Sequence, residues 1–291
     1  MKAEETEILR PAGLGPSQAS VLCSGQGIRR TLSAALPWEE LGLNSLQESD
    51  RRENTRGVRL HSPTMHPLDN VIWQALTTRQ SRLAQGQNGA RRFFKEVSVL
   101  AALSEPDGEA WDCLVSLLNV GERVGLFLSV TPAPMSGLKI VSATAILEMV
   151  DDNGESPAAA ADGLEFIALG NSGVAEMLAL TKLTKPGPFS SRTHEMGEYI
   201  GVRQDGSLAA MAGERLKIPG YTEISAVCTH PGYLGRGYAT AMIVELMRRI
   251  RQRGEIPFLH VRPENQRAVG LYERLGFRTR VELQYTIVER R

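Results

Sequence analysis

The stretch from Tyr221 to Gln252 constrains this chain most. YTEISAVCTH reads as a strand, PGYLGRG as a glycine-rich turn, and AMIVELMRRIRQ as the clearest helix in the sequence. In that helix Ala239, Met242, Ile243, Leu246, Met247 and Ile250 fall on one face. Arg248, Arg249 and Arg251 solvate the other side, and Gly254 ends the helix.

Around this unit, from Leu164, the expected order is strand, helix, strands, helix, strand, helix, strands. LEFIAL is a strand and VAEMLALTKL a helix with Met177, Leu178 and Leu180 apolar; KPGPFSSRT breaks it. EYIGVRQ and SLAAMAGERL are strands joined by Asp205-Gly206, a strong hairpin signal. PFLHVR is a strand. NQRAVGLYERLGF is a helix with Ala268, Leu271, Tyr272 and Leu275 along one face, stopped by Gly276, and VELQYTIV closes the sheet. No repeat of 20–50 residues is visible.

Residues 66–150 resemble a smaller α/β unit. NVIWQALTTRQSRLA has Ile72, Leu76 and Leu83 at near-helical spacing. EAWDCLVSLL places Trp111, Leu114, Val115 and Leu118 on a helix face, and RVGLFLSV and LKIVSATAIL are short β-branched strands. DDNGESPAAAADG, residues 151–163, is acidic, small and turn-rich, and is expected to be a linker. Residues 1–64 lack a sustained period, and Pro37 interrupts the one helical stretch; the expectation is disorder, with Met65 as an alternative start of the physiological chain.

Composition sets outer bounds. Lys+Arg and Asp+Glu both number 33 among 291 residues, so no global charge calls for a nucleic-acid partner. Cys23, Cys113 and Cys228 are far apart, odd in number and in no CxxC pair, which points to reduced thiols in a cytoplasmic protein. The 5 histidines form no HExxH or Cys/His cluster, so no metal is expected. No apolar run is long enough to span a membrane, and Glu4, Glu5 and Glu7 near the start do not suit a secretory signal.

The chemistry lies in the turn. Gly235 and Gly237 remove side chains where backbone amides must approach a ligand, and the following helix aims its N-terminal N–H groups and positive dipole end at the same point. That is an anion site suited to a pyrophosphate. A Walker A loop would need a Lys that is absent, and a dinucleotide fingerprint would need a third glycine near Thr240. Taken alone, GxG before a helix is equally an ordinary tight turn.

The run TEISAVCTHPGYLGRGYATAMI followed by ENQRAVGLYERLGF resembles the GNAT superfamily of N-acetyltransferases. The family's Gln/Arg-x-x-Gly-x-Gly/Ala pyrophosphate signature maps onto Leu234, Gly235, Arg236, Gly237, Tyr238 and Ala239. Its later Asn…Tyr-x-x-x-Gly-Phe segment maps onto Asn265, Tyr272, Gly276 and Phe277. The resemblance covers about Leu164 to Arg291, most closely the glycine-N-acyltransferase-like branch. It implies a mixed, mostly antiparallel sheet flanked by helices, with the N-terminal α/β unit as a degenerate GNAT-like half. One departure is Leu234, which has no donor where the family carries Gln or Arg.

The resemblance also implies roles. Acetyl-CoA is the acyl donor, with its pyrophosphate on the amides of Gly235 to Thr240 and its pantetheine paired to backbone groups of Val227, Cys228 and Thr229 like an added strand. Tyr272 would protonate, or hydrogen-bond, the departing thiolate; it equally suits a core tyrosine. Glu223 could take the ammonium proton, or be a strand-end glutamate in solvent. Asn265 contacts the CoA arm or caps the last helix. His230 suits a turn histidine better than a base, and Cys228 a packed thiol better than a nucleophile.

The implied function is acetyl-CoA-dependent transfer of an acetyl or short acyl group to a primary amine of a small molecule, amino acid or peptide. The alternative is a CoA-binding sensor or scaffold without turnover. Neither nucleic acid nor membrane is an expected partner, and the chain is expected to be a monomer or homodimer. PGPFSSRTHEMGEY is expected to border the acceptor pocket.

Overall fold

The computed structural model describes residues 65–154 and 164–291. The expectations placed on residues 1–64, Cys23 and most of the 151–163 linker lie outside the described residues. In chain order the elements are α1 (Val71–Thr77), β1 (Ala84–Gln85), β2 (Ala90–Phe93), β3 (Ala101–Leu103), α2 (Gly108–Leu117), β4 (Arg123–Leu128), β5 (Leu138–Val150) and β6 (Ile167–Ala168). They continue with α3 (Val174–Thr184), β7 (Tyr199–Gln204), β8 (Ser207–Ile218), β9 (Tyr221–Thr229), α4 (Tyr238–Gln252), β10 (Ile256–Val261), α5 (Gln266–Arg274) and β11 (Arg278–Arg290).

Local chemistry accounts for most boundaries. Asp205 and Gly206 take φ of 50° and 78°, the two left-handed residues that a tight hairpin needs, and β7 pairs with β8 directly across them. Asp107 caps α2 by accepting from the Ala110 amide at 2.9 Å. The segment expected to form one helix from Asn70 breaks at Thr77. The Thr77 hydroxyl donates to the Trp73 carbonyl at 2.8 Å, and a short 3₁₀ turn, Ser81–Leu83, follows. LEFIAL shrinks to the two-residue β6.

One sheet has the order β4-β11-β5-β10-β9-β8-β7-β6, antiparallel throughout except for the parallel β9–β10 pair. This is the mixed, mostly antiparallel sheet flanked by helices that the sequence implies. Strand β11 lies between β4 and β5, running antiparallel to β5 from Arg278↔Val150 to Arg290↔Leu138. Strands read as part of the N-terminal unit therefore complete the main sheet, and the 151–163 boundary does not divide it. A separate small sheet has the order β1-β2-β3.

Alternation along β10 divides the core. Leu259 faces one cluster with Met242, Ile243, Leu246, Met247 and Ile250 of α4. Its neighbour Phe258 faces the other, with Ile72 and Leu76 of α1 and with Leu216. Each such side chain stabilises the fold by about 1.5–3 kcal/mol relative to exposure. Tyr238, not Ala239, heads the buried stripe of α4.

Candidate functional site

The parallel pairing of β9 with β10 is short. It covers only Ile256↔Tyr221, Pro257↔Thr222 and Phe258↔Glu223; beyond it β10 pairs with β5 alone. The rest of β9 has no strand partner on that side. There β9 also bulges: Cys228 faces Met211 and Ser225 faces Gly213, so two residues oppose one. Ala226 sits in this bulge at φ 53°, an uncommon left-handed conformation for a residue with a Cβ. A cleft of about 940 Å³ opens at this splay. It runs from the glycine turn to Phe127, Ile146 and Tyr285, and Lys185 together with Pro186–Pro188, the start of the segment expected to border a pocket, lines part of its wall.

At one end, Gly235 and Gly237 have φ of 79° and 77°, and a Cβ on either would meet no atom within 4 Å. Gly237 is the N-cap of α4, and no side chain caps that end. The first amides of α4, on Tyr238, Ala239 and Thr240, therefore lack intrahelical partners and point at open space. The turn is tied down from behind. Tyr238 donates to Gln204 Oε1 at 3.2 Å and Tyr233 to Asp205 Oδ2 at 3.3 Å, while the Arg236 guanidinium lies 5.1 Å from the Tyr233 ring centre. So Tyr238 offers its amide and buries its ring. Leu234 is 56% exposed and brings no donor. Free amides, a positive helix end and open space above two glycines fit a diphosphate.

Val227, Cys228, Thr229, Asn265 and Tyr272 line the same cleft. Burial pushes the Tyr272 hydroxyl up to about 12, so it stays protonated at neutral pH. Its ring stacks edge-on to Phe277 at 6.0 Å. Asn265 Oδ1 accepts from the Ala268 amide at 3.2 Å, so it caps α5 while also reaching the cleft. Burial raises the Cys228 thiol to about 11, which suits a packed thiol and not a nucleophile. His230 Nδ1 accepts from the Gly232 amide at 3.1 Å, a turn role.

Glu223 is placed differently from either expectation. It is neither in solvent nor among the cleft-lining residues, but fully buried. Arg215 donates to it twice, at 2.8 and 2.5 Å, the Leu216 amide donates at 3.2 Å, and His260 Nδ1 lies 2.7 Å from Oε1. Although burial raises its pKa, Arg215 and His260 outweigh that and hold the carboxyl down at about 2. A carboxylate so committed is a poor base for an ammonium. His260 itself sits between two acids, with Glu148 Oε2 3.5 Å from Nε2, and Arg280 closes the chain by donating to Glu148 and to Asp69. Burial disfavours the imidazolium, but Glu223 and Glu148 prevail and raise its pKa. No sequence pattern marks His260 or Glu148, because their meeting depends on the pairing of β10 with β5.

This network makes a pH prediction. The folded pKa of Glu223 lies below its ordinary 4.5, so its contribution is complete above about 4.5 and is lost as pH falls toward 2. The folded pKa of His260 lies above 6.5, so its contribution is complete below about 6.5 and is lost as pH rises through the folded value. Glu223→Gln removes one partner of buried charges and is expected to destabilise by about 3 kcal/mol or more. Melting curves should show the largest wild-type advantage between about pH 4.5 and 6.5. An advantage that is flat with pH would mean that Glu223 contributes by packing alone.

Residues 199–286 match the family described as FR47-like protein. Over 82 residues, 27% of this chain, the sequence is 35% identical to the N-alpha-acetyltransferase RimI of Mycobacterium tuberculosis (strain ATCC 25618 / H37Rv); the match spans 51%, about half, of that relative. A solved GNAT-family structure from Novosphingobium aromaticivorans DSM 12444 is 38% identical with a TM-score of 0.72, the match covering 78% of this chain and 100% of that one. A GCN5-related N-acetyltransferase from Kribbella flavida, 15% identical with a TM-score of 0.51 over 76% of this chain and 93% of its own, shares the fold. With a relative this similar matched over its whole length, the chain belongs to the GNAT superfamily of N-acetyltransferases.

Proposed function

We propose that the chain moves an acetyl or other short acyl group from an acyl-CoA to a primary amine by direct transfer. The observation that carries this reading is the single cleft that joins the free amides of the glycine turn, the bulge at Ala226 and the Tyr272 hydroxyl. Acetyl-CoA supplies a thioester, whose carbonyl carbon is attacked and whose thiolate departs. The amides of Tyr238, Ala239 and Thr240, the positive end of α4 and Arg236 hold the diphosphate. The unpaired edge of β9 from Ser225 to Thr229 holds the pantetheine as an added strand and orients the carbonyl. The neutral amine forms the new C–N bond as the C–S bond breaks and loses its surplus proton to solvent; Tyr272 gives its proton to the departing sulfur and regains one from solvent, or only hydrogen-bonds the sulfur. Glu223 acts through others: it fixes Arg215 and His260. The N-alpha-acetyltransferase relative favours an α-amine as the acceptor.

Leu234 supports a second reading, a CoA-binding module without turnover, because the turn lacks the family's side-chain donor there. Thiol release from acetyl-CoA, measured across a panel of primary amines with calorimetry of CoA binding alongside, separates the two. Amine-dependent release is expected. Binding without release under any amine would establish the second reading, and no binding at all would remove both.

A further inference from the structure

The cleft is cationic in a chain with no net charge. Lys185, Arg215, Arg236, Arg262, Arg267 and Arg274 line it, and no Asp or Glu among the described residues does. Arg215 is neutralised by Glu223. Elsewhere the described arginines mostly find carboxylates or carbonyls; Arg262, Arg267 and Arg274 form no side-chain ion pair or hydrogen bond with described residues. Unpaired cations gathered on one concave surface favour anionic ligands.

These cations are not all placed for the diphosphate. Arg267 and Arg274 belong to α5, the helix of Tyr272. Arg262 directly follows β10 and lines the cleft together with Arg215 of β8 and Tyr285 of β11; burial raises the Tyr285 hydroxyl, and the two arginines oppose that rise. This is the end of the cleft formed by Phe127 and Ile146, on the opposite side of the splay from the glycine turn. Tyr285 is packed on two sides there. Its ring meets Phe127 edge-on at 5.7 Å and lies over Gly125, where a Cβ would come within 2.4 Å of the ring and 2.6 Å of the hydroxyl oxygen. Arg215 uses Nε and Nη2 on Glu223, leaving its Nη1 without a bond to described residues. A cation, a hydroxyl and an uncommitted N–H therefore line the same cleft as the apolar wall of Phe127 and Ile146.

We infer that the acceptor carries an anionic group, a carboxylate or a phosphate, on the same molecule as its amine, held by Arg262, Arg215 Nη1 and the Tyr285 hydroxyl. The inference rests on the proposed acyl transfer. It gives Gly125 a reason: any larger side chain would displace Tyr285.

The test compares kcat/KM for amino acids, for their carboxamides and for O-phosphorylated amino alcohols, with acetyl-CoA as donor. The anionic acceptors should exceed the neutral amides by about tenfold or more, the scale of one charge-assisted hydrogen bond. The carboxylate and phosphate arms identify which anion fits. In Arg262→Gln that selectivity ratio should collapse toward 1, with Arg262→Lys recovering part of it and the KM for acetyl-CoA unchanged. Gly125→Val should reduce the ratio in the same way by displacing Tyr285. Equal use of neutral and anionic amines overturns the inference and leaves acyl transfer standing. A rise in the acetyl-CoA KM in Arg262→Gln also overturns it, by assigning that arginine to the donor. No thiol release with any amine removes the transfer reading and this inference together.

Discussion

Gly237→Asp is expected to weaken CoA binding by about 100-fold, equivalent to about 3 kcal/mol. Gly237 has φ 77°, and the space above it is empty to 4 Å, so the new carboxylate would stand where the diphosphate has to sit. It would also take up one of the free amides of α4 itself, since an aspartate at an N-cap accepts from the second or third helical N–H. Gly237→Ala separates charge from backbone strain. Both variants carry the cost of a left-handed non-glycine residue, about 1–2 kcal/mol of stability, and only the aspartate adds negative charge. Calorimetry should therefore give a much smaller loss for alanine. Unchanged CoA affinity in Gly237→Asp would move the diphosphate away from this turn.

Tyr272→Phe is expected to lower kcat by about 100-fold, within the range of a lost general acid, with the KM for acetyl-CoA and the melting temperature nearly unchanged. The hydroxyl forms no hydrogen bond with described residues, so its removal leaves no partner stranded. The ring keeps its packing on Phe277. Because burial raises this hydroxyl to about 12, its protonation is constant across the ordinary assay range, and any bell in the pH profile below about 11 comes from another group. A variant that loses stability but keeps kcat would make Tyr272 a core residue and nothing more.

Several features of the site were legible in the residues. Asp205-Gly206 reads as a hairpin because few residues tolerate consecutive positive φ, and the structure has both. The glycine turn and α4 read as a unit because glycine conformation and helical periodicity act over a few residues. Asn265 caps α5, one of its two expected roles, and also lines the cleft.

Glu223 shows where local reading stops. Read locally it is a base or a strand-end glutamate in solvent, yet its surroundings come from Arg215 on β8 and His260 on β10. The same holds for the strands before residue 150. Read in order, RVGLFLSV and LKIVSATAIL belong to a unit of their own, yet β5 joins the main sheet by pairing with β10, and β11, inserted between β5 and β4, brings β4 in with it.

The sequence by itself determined the strand, glycine turn and helix from Tyr221 to Gln252, because that unit is made of contiguous backbone whose conformation glycine and helix periodicity dictate. The tertiary structure alone decided the opposite end of the cleft. Gly125, Arg215, Arg262 and Tyr285 lie on separate elements, and no residue's own propensity records a neighbour so far away in the chain. Long-range strand order brought them together, and that order is set by which apolar faces can be buried at once, a property of the whole sheet and not of any segment of it.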